Sequence, residues 1–293
     1  MSQQIFRAYL VLLLAFIVGW LVIRLDWLAA VGRLLDCLPL LQIIAVYLSS
    51  HGFRMLRLML LTLDERNKIL PLINAHMLTA FPSSFLSFKM GEVLRLGGFF
   101  QVYDGRQKAL AVWLTERFSD VVVIMIFIVA LRVFNVELPN SMQVVLVIFS
   151  LLTMLSLICM LAVSKASVYL NRQLVLSSHS ARGLRILRVS HVLKRLEEDI
   201  HKSVEGRLAA LFLLSLLVWI MEILAIVLFL YHFSTDKASL PELFASGLLA
   251  NLPGGTSSDL LAMGAYQSLA LVALALIVPV CRLFASIWPT EAK

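Results

Sequence analysis

Six apolar stretches of roughly 20 residues limit what this chain can fold into more than any other feature. An α-helix of about 20 apolar residues is long enough to cross the hydrocarbon core of a bilayer. Only 15% of the 293 residues are charged, against about 25% in soluble domains. We therefore predict an all-α polytopic membrane protein in which residues 1–293 form a single integral membrane domain. The predicted spans cover residues 5–23, 34–51, 109–131, 141–163, 208–231 and 261–284.

Two further apolar segments, residues 69–88 and 241–258, are shorter and contain residues that disturb helices. Proline removes a backbone donor, and glycine relaxes the helix. Irregular backbone at membrane depth is tolerated where protein surrounds it or where it lines a wet cavity. We therefore predict that both segments are re-entrant. The predicted hinges are Pro82 and Gly91 for the first segment and Pro253, Gly254 and Gly255 for the second.

Lys and Arg residues are distributed very unevenly between the two predicted sides of the membrane. Twenty of them fall on the side that holds both termini, residues 52–108 and residues 164–207, and four fall on the other side. Cytoplasmic loops carry such an excess, so we expect both termini, and a basic connector at about 165–207, in the cytoplasm. The two broken segments then enter from opposite faces, as in the inverted repeats of transporters.

The composition also excludes several classes of function. A net charge of +7 fits contact with anionic lipid head groups, and no basic domain outside the membrane could hold nucleic acid. No nucleotide-binding loop is present, and no extramembrane segment is large enough for an ATP site. The three cysteines, Cys37, Cys159 and Cys281, are isolated. We therefore expect no metal and no cofactor.

Charged side chains are nevertheless placed within or beside the apolar segments. Such a group costs about 2.5–3.5 kcal/mol at the bilayer centre on insertion scales, so it needs a partner or a purpose. The arginine fork suits a phosphate, which makes Arg95 and Arg117 candidate phosphate donors. They are also candidate partners for the isolated Glu222. The predicted substrate-binding residues are Glu92, Arg95, Glu116, Arg117, Asp120, Glu222 and Asp259.

One group of these residues has a second interpretation. Glu116, Arg117 and Asp120 are three and four residues apart early in the third span, so they share one surface of a helix. They could form an internal ion-pair cluster that holds helices together, without binding any substrate.

Three motifs resemble the lysylphosphatidylglycerol synthase transmembrane region, also called the flippase-like domain. The family pattern of Pro followed by Gly-Glu-x-x-Arg is matched by "FPSSFLSFKMGEVLR", and its Glu-Arg-x-x-Asp by "ERFSD". Its late Pro-Gly-Gly-x-Gly-x-x-Glu becomes "PGGTSSD", in which the third Gly is missing and Asp259 replaces Glu at shorter spacing. An upstream Arg, often followed by Trp, corresponds to Arg54 followed by Met55. The resemblance covers roughly residues 5–285.

The resemblance implies translocation of a phospholipid or of a polyprenyl-phosphate-linked head group between leaflets of the bacterial inner membrane. The implied partners are anionic phospholipids or lipid-linked sugars, together with a glycosyltransferase or lipid-modifying enzyme. We expect a transporter rather than an enzyme. Two alternatives remain open at this point: a membrane-embedded transferase of a glycosyl or lipid group, and a non-transporting accessory to a glycosyltransferase.

Overall fold

The computed structural model describes residues 37–85, 90–133 and 181–233, together with single positions within 11–22, 143–169 and 266–274. Every element in these ranges is a helix, which agrees with the all-α prediction. The predicted spans 5–23, 141–163 and 261–284 lie largely outside the described residues. The second broken segment, with Pro253, Gly254, Gly255 and Asp259, lies wholly outside them.

Six α-helices and one short 3₁₀ helix form the described part of the chain. The 3₁₀ helix, Leu63–Lys68, connects α1 to α2 and is kinked at Glu65, whose backbone is not helical. The α-helices are α1 Cys37–Leu61, α2 Ile69–Phe85, α3 Met90–Val102, α4 Arg106–Val133, α5 Ala181–Val204 and α6 Leu208–Phe233.

Helix α6 is the most apolar of these helices. By length and composition, its residues Leu208–His232 form the one described helix that could cross a membrane, with a mean hydropathy of 2.8. Helices α1 and α4 have 25 and 28 residues, and helices of this length reach about 40 Å. Both contain charged side chains, which lower their mean hydropathy.

Helix α1 extends well beyond the predicted span 34–51. The helix continues to Leu61, through a stretch that the charges of Arg54 and Arg57 had marked as a connector. The continuation has a physical reason, because Leu58 and Leu61 are fully buried in a hydrophobic core. Their burial stabilises almost three more turns of helix.

Both predicted hinges of the first broken segment lie within helices. Helix α2 continues through Pro82 and ends at Phe85, and α3 begins at Met90, so Gly91 lies in the first turn of α3. Proline lacks one backbone N–H group, but the residues after it keep their own. A helix can therefore continue for a few residues beyond a proline. Whether the segment is re-entrant stays a prediction.

The chain divides into two compact units. Unit 1 contains Met1–Gly52, Met77–Gly91 and Ile220–Lys293, and unit 2 contains Phe53–His76 and Glu92–Trp219. A buried cluster in the described part of unit 1 includes three aromatic residues, with Tyr266 edge-on to Tyr47 and to Phe229 at centroid distances of 6.4 and 5.7 Å. The core of unit 2 is formed by Leu58, Leu61, Leu72, Phe99, Tyr103, Ala109, Val112 and Leu211.

Several connections of unit 2 are tied together by polar contacts. Asp64 accepts a hydrogen bond from Arg207 at 2.8 Å, which joins the 3₁₀ helix to the start of α6. Lys108, near the start of α4, donates to Ser203, near the end of α5, at 2.9 Å. These contacts fix the ends of the helices that carry the charged residues described below.

Tyr103, in the connection between α3 and α4, is held by a buried hydrogen bond. The hydroxyl of Thr62 donates to the carbonyl of Leu58, so it accepts from the Tyr103 hydroxyl at 2.8 Å. Burial, assisted by the nearby carboxylates of Glu65 and Asp64, raises the pKa of Tyr103 to about 12. The phenol therefore remains protonated, and able to donate, throughout the physiological pH range.

The basic connector contains a charged helix, α5, which packs against α4. It ends at Val204, and Gly206 follows with φ +69° before α6 begins at Leu208. A glycine in this left-handed conformation is a common C-terminal cap because it has no Cβ to clash. Leu193, Leu196, Ile200 and Val204 recur at helical spacing on α5; the last three are half-buried, whereas Leu193 is exposed.

Candidate functional site: a buried ion-pair cluster

Helix α4 presents two buried carboxylates on one face. Glu116 and Asp120 are four residues apart and are almost completely buried. Ser119 lies beside them, and its hydroxyl donates to the carbonyl of Glu116 at 2.8 Å. Buried carboxylates need cationic partners, because an unpaired buried charge carries a large desolvation penalty.

Arg57 of α1 supplies the central cation. Its Nη1 and Nη2 atoms lie 2.5 and 3.3 Å from the two carboxylate oxygens of Asp120, which makes the pairing bidentate. Nη2 also donates to Oε1 of Glu116 at 2.7 Å, and Nη1 donates to Ser215 of α6 at 2.9 Å. The fully buried guanidinium thus joins three helices, and its planar fork matches this arrangement of acceptors.

Arg95 of α3 approaches the same carboxylate from another direction. Its Nη2 donates to Oε1 of Glu116 at 2.5 Å, and its side chain is only 3% exposed. The guanidinium carbon lies 5.6 Å from the centroid of the Phe99 ring, within range of a cation–π interaction. One oxygen of Glu116 therefore accepts from two arginines on two helices.

The remaining ion pair, Arg117 with Glu92, is more accessible to solvent than the buried pairs. Arg117 of α4 is 26% exposed, and its Nε lies 3.1 Å from Oε2 of Glu92, which is 29% exposed. Trp113 also donates its indole N–H to Glu92 at 3.2 Å, and Nη1 of Arg117 lies 3.2 Å from Asp120. Glu92 and Arg95 thus pair with the next helix and not with each other. We call the six residues the ion-pair cluster: Arg57, Glu92, Arg95, Glu116, Arg117 and Asp120.

The ion-pair cluster contains three cations and three anions. Arg54, one turn before Arg57 on α1, is close enough for its charge to act on Arg57, Arg95 and Asp120.

Some hydrogen-bonding capacity of the cluster is unused within the described part of the chain. Nε of Arg57, Nε of Arg95 and Oε2 of Glu116 are buried and have no hydrogen-bond partner there. A buried donor or acceptor without a partner is unfavourable, and such groups are concentrated where a further ligand can bind. Among the described residues, no group of His, Cys, Asp and Glu could hold a metal ion.

The structure brings together five of the seven predicted substrate-binding residues: Glu92, Arg95, Glu116, Arg117 and Asp120. Glu222 belongs to unit 1, where it is half-buried on α6, and its pairing with Arg95 or Arg117 stays a prediction. Asp259 lies outside the described residues. The assignment of any of these residues to a substrate also stays a prediction.

Arg57 was missed by the sequence reasoning, which counted it as a charge in a cytoplasmic connector. The signal that could have found it is the stretch "MLRLMLL", residues 55–61, in which an arginine is flanked on both sides by apolar residues. Ser215 gave no signal of its own, because a serine within an apolar helix commonly bonds to its own backbone.

The charged motifs that form the cluster are those on which the resemblance to a known family rested. The sequence pattern of the family described as "Lysylphosphatidylglycerol synthase TM region" matches residues 7–279. The chain belongs to this family. It is therefore a membrane protein of a lipid-related family. No curated protein and no solved structure shows a significant match to the chain.

Proposed function

We propose that this member of the lysylphosphatidylglycerol synthase transmembrane family moves a phospholipid or a polyprenyl-phosphate-linked head group between the leaflets of the bacterial inner membrane. The observation that supports this most strongly is the ion-pair cluster. Six charged side chains meet on three helices of a membrane protein, at a place where each charge is costly to bury. A lipid head group carries charges of its own into the same environment.

The chemistry of the cluster suits a phosphate group. Arginine remains charged in a low dielectric and can present two parallel donors to phosphate oxygens. The half-exposed pair of Arg117 and Glu92 lies next to the buried pair of Arg95 and Glu116. A phosphate that first contacts Arg117 could therefore be passed to Arg95. When the phosphate leaves an arginine, the carboxylate of Glu92 or Glu116 could pair with that arginine again.

The charge distribution supports a multi-pass orientation with both termini in the cytoplasm. Under this orientation α4 begins at the cytoplasmic side, because Arg106 and Lys108 precede its apolar part. The ion-pair cluster then lies roughly 10 to 15 Å into the membrane from that side, since Glu116 is about ten residues from the start of α4 and the helix rises about 1.5 Å per residue. A head group from the cytoplasmic leaflet would reach this depth first.

The function is tested by reconstitution into liposomes that contain a fluorescent phospholipid or a polyprenyl-phosphate sugar. Exchange between leaflets is measured for the wild type and for Arg95→Ala and Arg117→Ala. We expect both substitutions to reduce the rate at least tenfold, and the exposed Arg66→Ala of the 3₁₀ helix to leave it unchanged. Equal exchange in all four proteins would sink the role of the cluster, and no exchange of either lipid by the wild type would sink translocation itself.

A non-transporting accessory to a glycosyltransferase is the second candidate, and the dense internal pairing of the cluster favours it. If the cluster only holds helices together, Arg95→Ala should lower thermal stability. Leaflet exchange should then stay at the level of empty liposomes for the wild type and for every variant. We would then expect a glycosyltransferase to co-purify with the wild type. This co-purification should be lost when the cluster is destabilised.

A further inference from the structure

The apolar face of α5 is partly covered in one half of the helix and exposed in the other. Apolar residues recur along the helix every three or four positions, which places them on one face: Val189, Leu193, Leu196, Ile200 and Val204. The last three are half-buried, and Val204 packs against the core of unit 2. Val189 and Leu193, by contrast, are 58% and 38% exposed, and the neighbouring Val192 is 42% exposed. The apolar face is therefore accessible towards the start of the helix.

Charge is divided along α5 at the same point. Residues 181–196 contain five Lys or Arg and no Asp or Glu, whereas residues 197–205 contain four Asp or Glu and a single Lys, Lys202. The basic side chains that the structure describes in the first part are all exposed: Arg188, Lys194 and Arg195. We call residues 187–196 the basic half of α5. The exposed apolar face thus lies in the part of the helix that carries only positive charge.

The basic residues of this half border the apolar face. Because a helix turns by about 100° per residue, Arg188 and Arg195 lie on one side of Val189 and Lys194 lies on the other. His191 lies almost opposite Val189, about 160° away. Arginine and lysine can lay their stems along apolar surface while their charged ends reach water. An apolar face bordered by basic residues is typical of a helix that lies in the interface of an anionic bilayer.

The basic half belongs to a helix that leads directly into the apolar helix α6. Helix α5 ends at Val204, and α6, the described helix long and apolar enough to cross a membrane, begins at Leu208. Val204 packs on the core that contains Leu211 of α6 and Ala109 of α4, so the end of α5 is fixed beside the starts of both helices. Nine of the 24 residues of α5 are charged, too many for it to cross a membrane itself. In a membrane protein, this helix therefore has the lipid head groups within reach.

We propose that the basic half of α5 is a docking surface for anionic phospholipids of the leaflet at which α6 begins. Its three exposed apolar side chains enter the region between head groups and acyl chains, and the bordering basic side chains pair with lipid phosphates. An acidic protein would match the charges as well, but the connection to α6 holds this surface at the membrane, which favours lipid. The inference requires only a membrane protein, and it is independent of the translocation proposed above.

The test compares cysteines on opposite sides of the helix. In the full-length chain with its three native cysteines replaced by serine, Val189→Cys and His191→Cys are placed in nanodiscs of phosphatidylcholine, alone or with an equal part of phosphatidylglycerol. The rate of reaction with an uncharged, water-soluble maleimide is measured in each membrane. Phosphatidylglycerol should slow Val189→Cys at least about tenfold, because each basic residue near an anionic surface favours binding about fivefold. His191→Cys, which stays in water, should slow less than about twofold.

Charge variants of the Val189→Cys chain test whether the basic residues recognise the head groups. The combination of Arg188→Gln, Lys194→Gln and Arg195→Gln should reduce the slowing to less than about twofold. Replacing both arginines by lysine should keep most of the slowing, because an anionic surface attracts any positive charge. Lys202→Gln, an equal loss of charge at an exposed position in the acidic part of α5, should leave the slowing unchanged. If the triple variant does not fold, Arg188→Gln alone should reduce the slowing severalfold.

Several results would overturn this docking surface. Equal slowing of Val189→Cys and His191→Cys, or slowing that survives the loss of all three charges, would exclude recognition through this face. Fast labelling of Val189→Cys in both membranes would leave the face to a protein partner, and slow labelling in both would mean that it is covered without anionic lipid. No transport is measured, so a chain that moves no lipid in liposomes would overturn the proposed function and leave the docking surface standing.

Discussion

At the scale of single residues, Arg57 is fully buried and pairs with two carboxylates, Glu116 and Asp120. Removing one partner of a buried ion pair costs about 3–5 kcal/mol, since an uncompensated charge is left behind. We expect Arg57→Gln to lower the free energy of unfolding by at least about 3 kcal/mol. Unfolding in mixed micelles with a denaturing detergent measures the change.

Combining two substitutions separates the pairing from the packing. In Arg57→Gln with Asp120→Asn the charge and its main partner disappear together, so the double variant should lose less stability than the sum of the single variants. The exposed Arg66→Gln should change stability by about 0.5 kcal/mol or less. Strict additivity in the double variant would mean that Arg57 and Asp120 do not act as a pair.

Tyr103 gives a prediction about pH. Its pKa is raised from 10.0 to about 12 in the folded chain, so the folded state holds this proton more tightly than the unfolded state. The stability that results is fully present below pH 10 and is lost as the pH rises through 12. Tyr103→Phe should lower stability by about 1 kcal/mol at pH 7, where the hydrogen bond to Thr62 is lost.

The same substitution should flatten the alkaline decline in stability. We expect the fall between pH 9 and pH 11 to be smaller in Tyr103→Phe than in the wild type, as measured by unfolding in detergent at both pH values. An equal loss of stability in both proteins would mean that groups other than Tyr103 cause the alkaline decline.

At the scale of elements, the junction of α5 and α6 depends on the backbone of Gly206. With φ +69°, a side chain at this position is strained although no atom lies within 4 Å of the site of its Cβ. Gly206→Ala should therefore lower the free energy of unfolding by about 1 kcal/mol, measured by unfolding in detergent.

Gly97, within α3, is the matched control. It also has open space around the site of a Cβ, but its backbone is helical, so Gly97→Ala should raise stability by up to about 1 kcal/mol. If both substitutions changed stability in the same direction, the left-handed backbone at Gly206 could not be the cause.

Sequence reasoning located these elements better than it located their ends. The apolar stretch of α6 was predicted as the span 208–231, since it is a long and almost uninterrupted run of apolar residues. The ends of α1 and α2 were not predicted. The charges of Arg54 and Arg57 and the ring of Pro82 are local signals, and they favour an earlier end of each helix. Burial of Leu58 and Leu61 in the core of unit 2 depends on contacts between distant helices, which the sequence does not display.

At the scale of the whole molecule, the sequence singled out five of the six residues of the ion-pair cluster but not how they pair. The spacing of Glu116 and Asp120 placed them on one face, and the structure keeps them there. The pairing of Glu92 with Arg117 and of Arg95 with Glu116 depends on how α3 packs against α4. Arg57 enters from α1, and no local pattern links it to residues about 60 positions later in the chain.

The orientation of the whole chain is a prediction of its own, because twenty Lys and Arg residues on one side against four on the other should hold both termini in the cytoplasm. After Cys37, Cys159 and Cys281 are replaced by serine, single cysteines are introduced as Ser2→Cys, Ala292→Cys and Thr235→Cys. In intact spheroplasts, a membrane-impermeant maleimide should label Thr235→Cys alone, because only this position is predicted to face outwards.

After the membrane is permeabilised, all three variants should be labelled to a similar extent. Labelling of Ser2→Cys or Ala292→Cys in intact spheroplasts would contradict the predicted orientation. It would also move the ion-pair cluster to the outer half of the membrane, because the start of α4 would then face outwards. A head group from the outer leaflet, and not from the cytoplasmic leaflet, would reach Arg117 first.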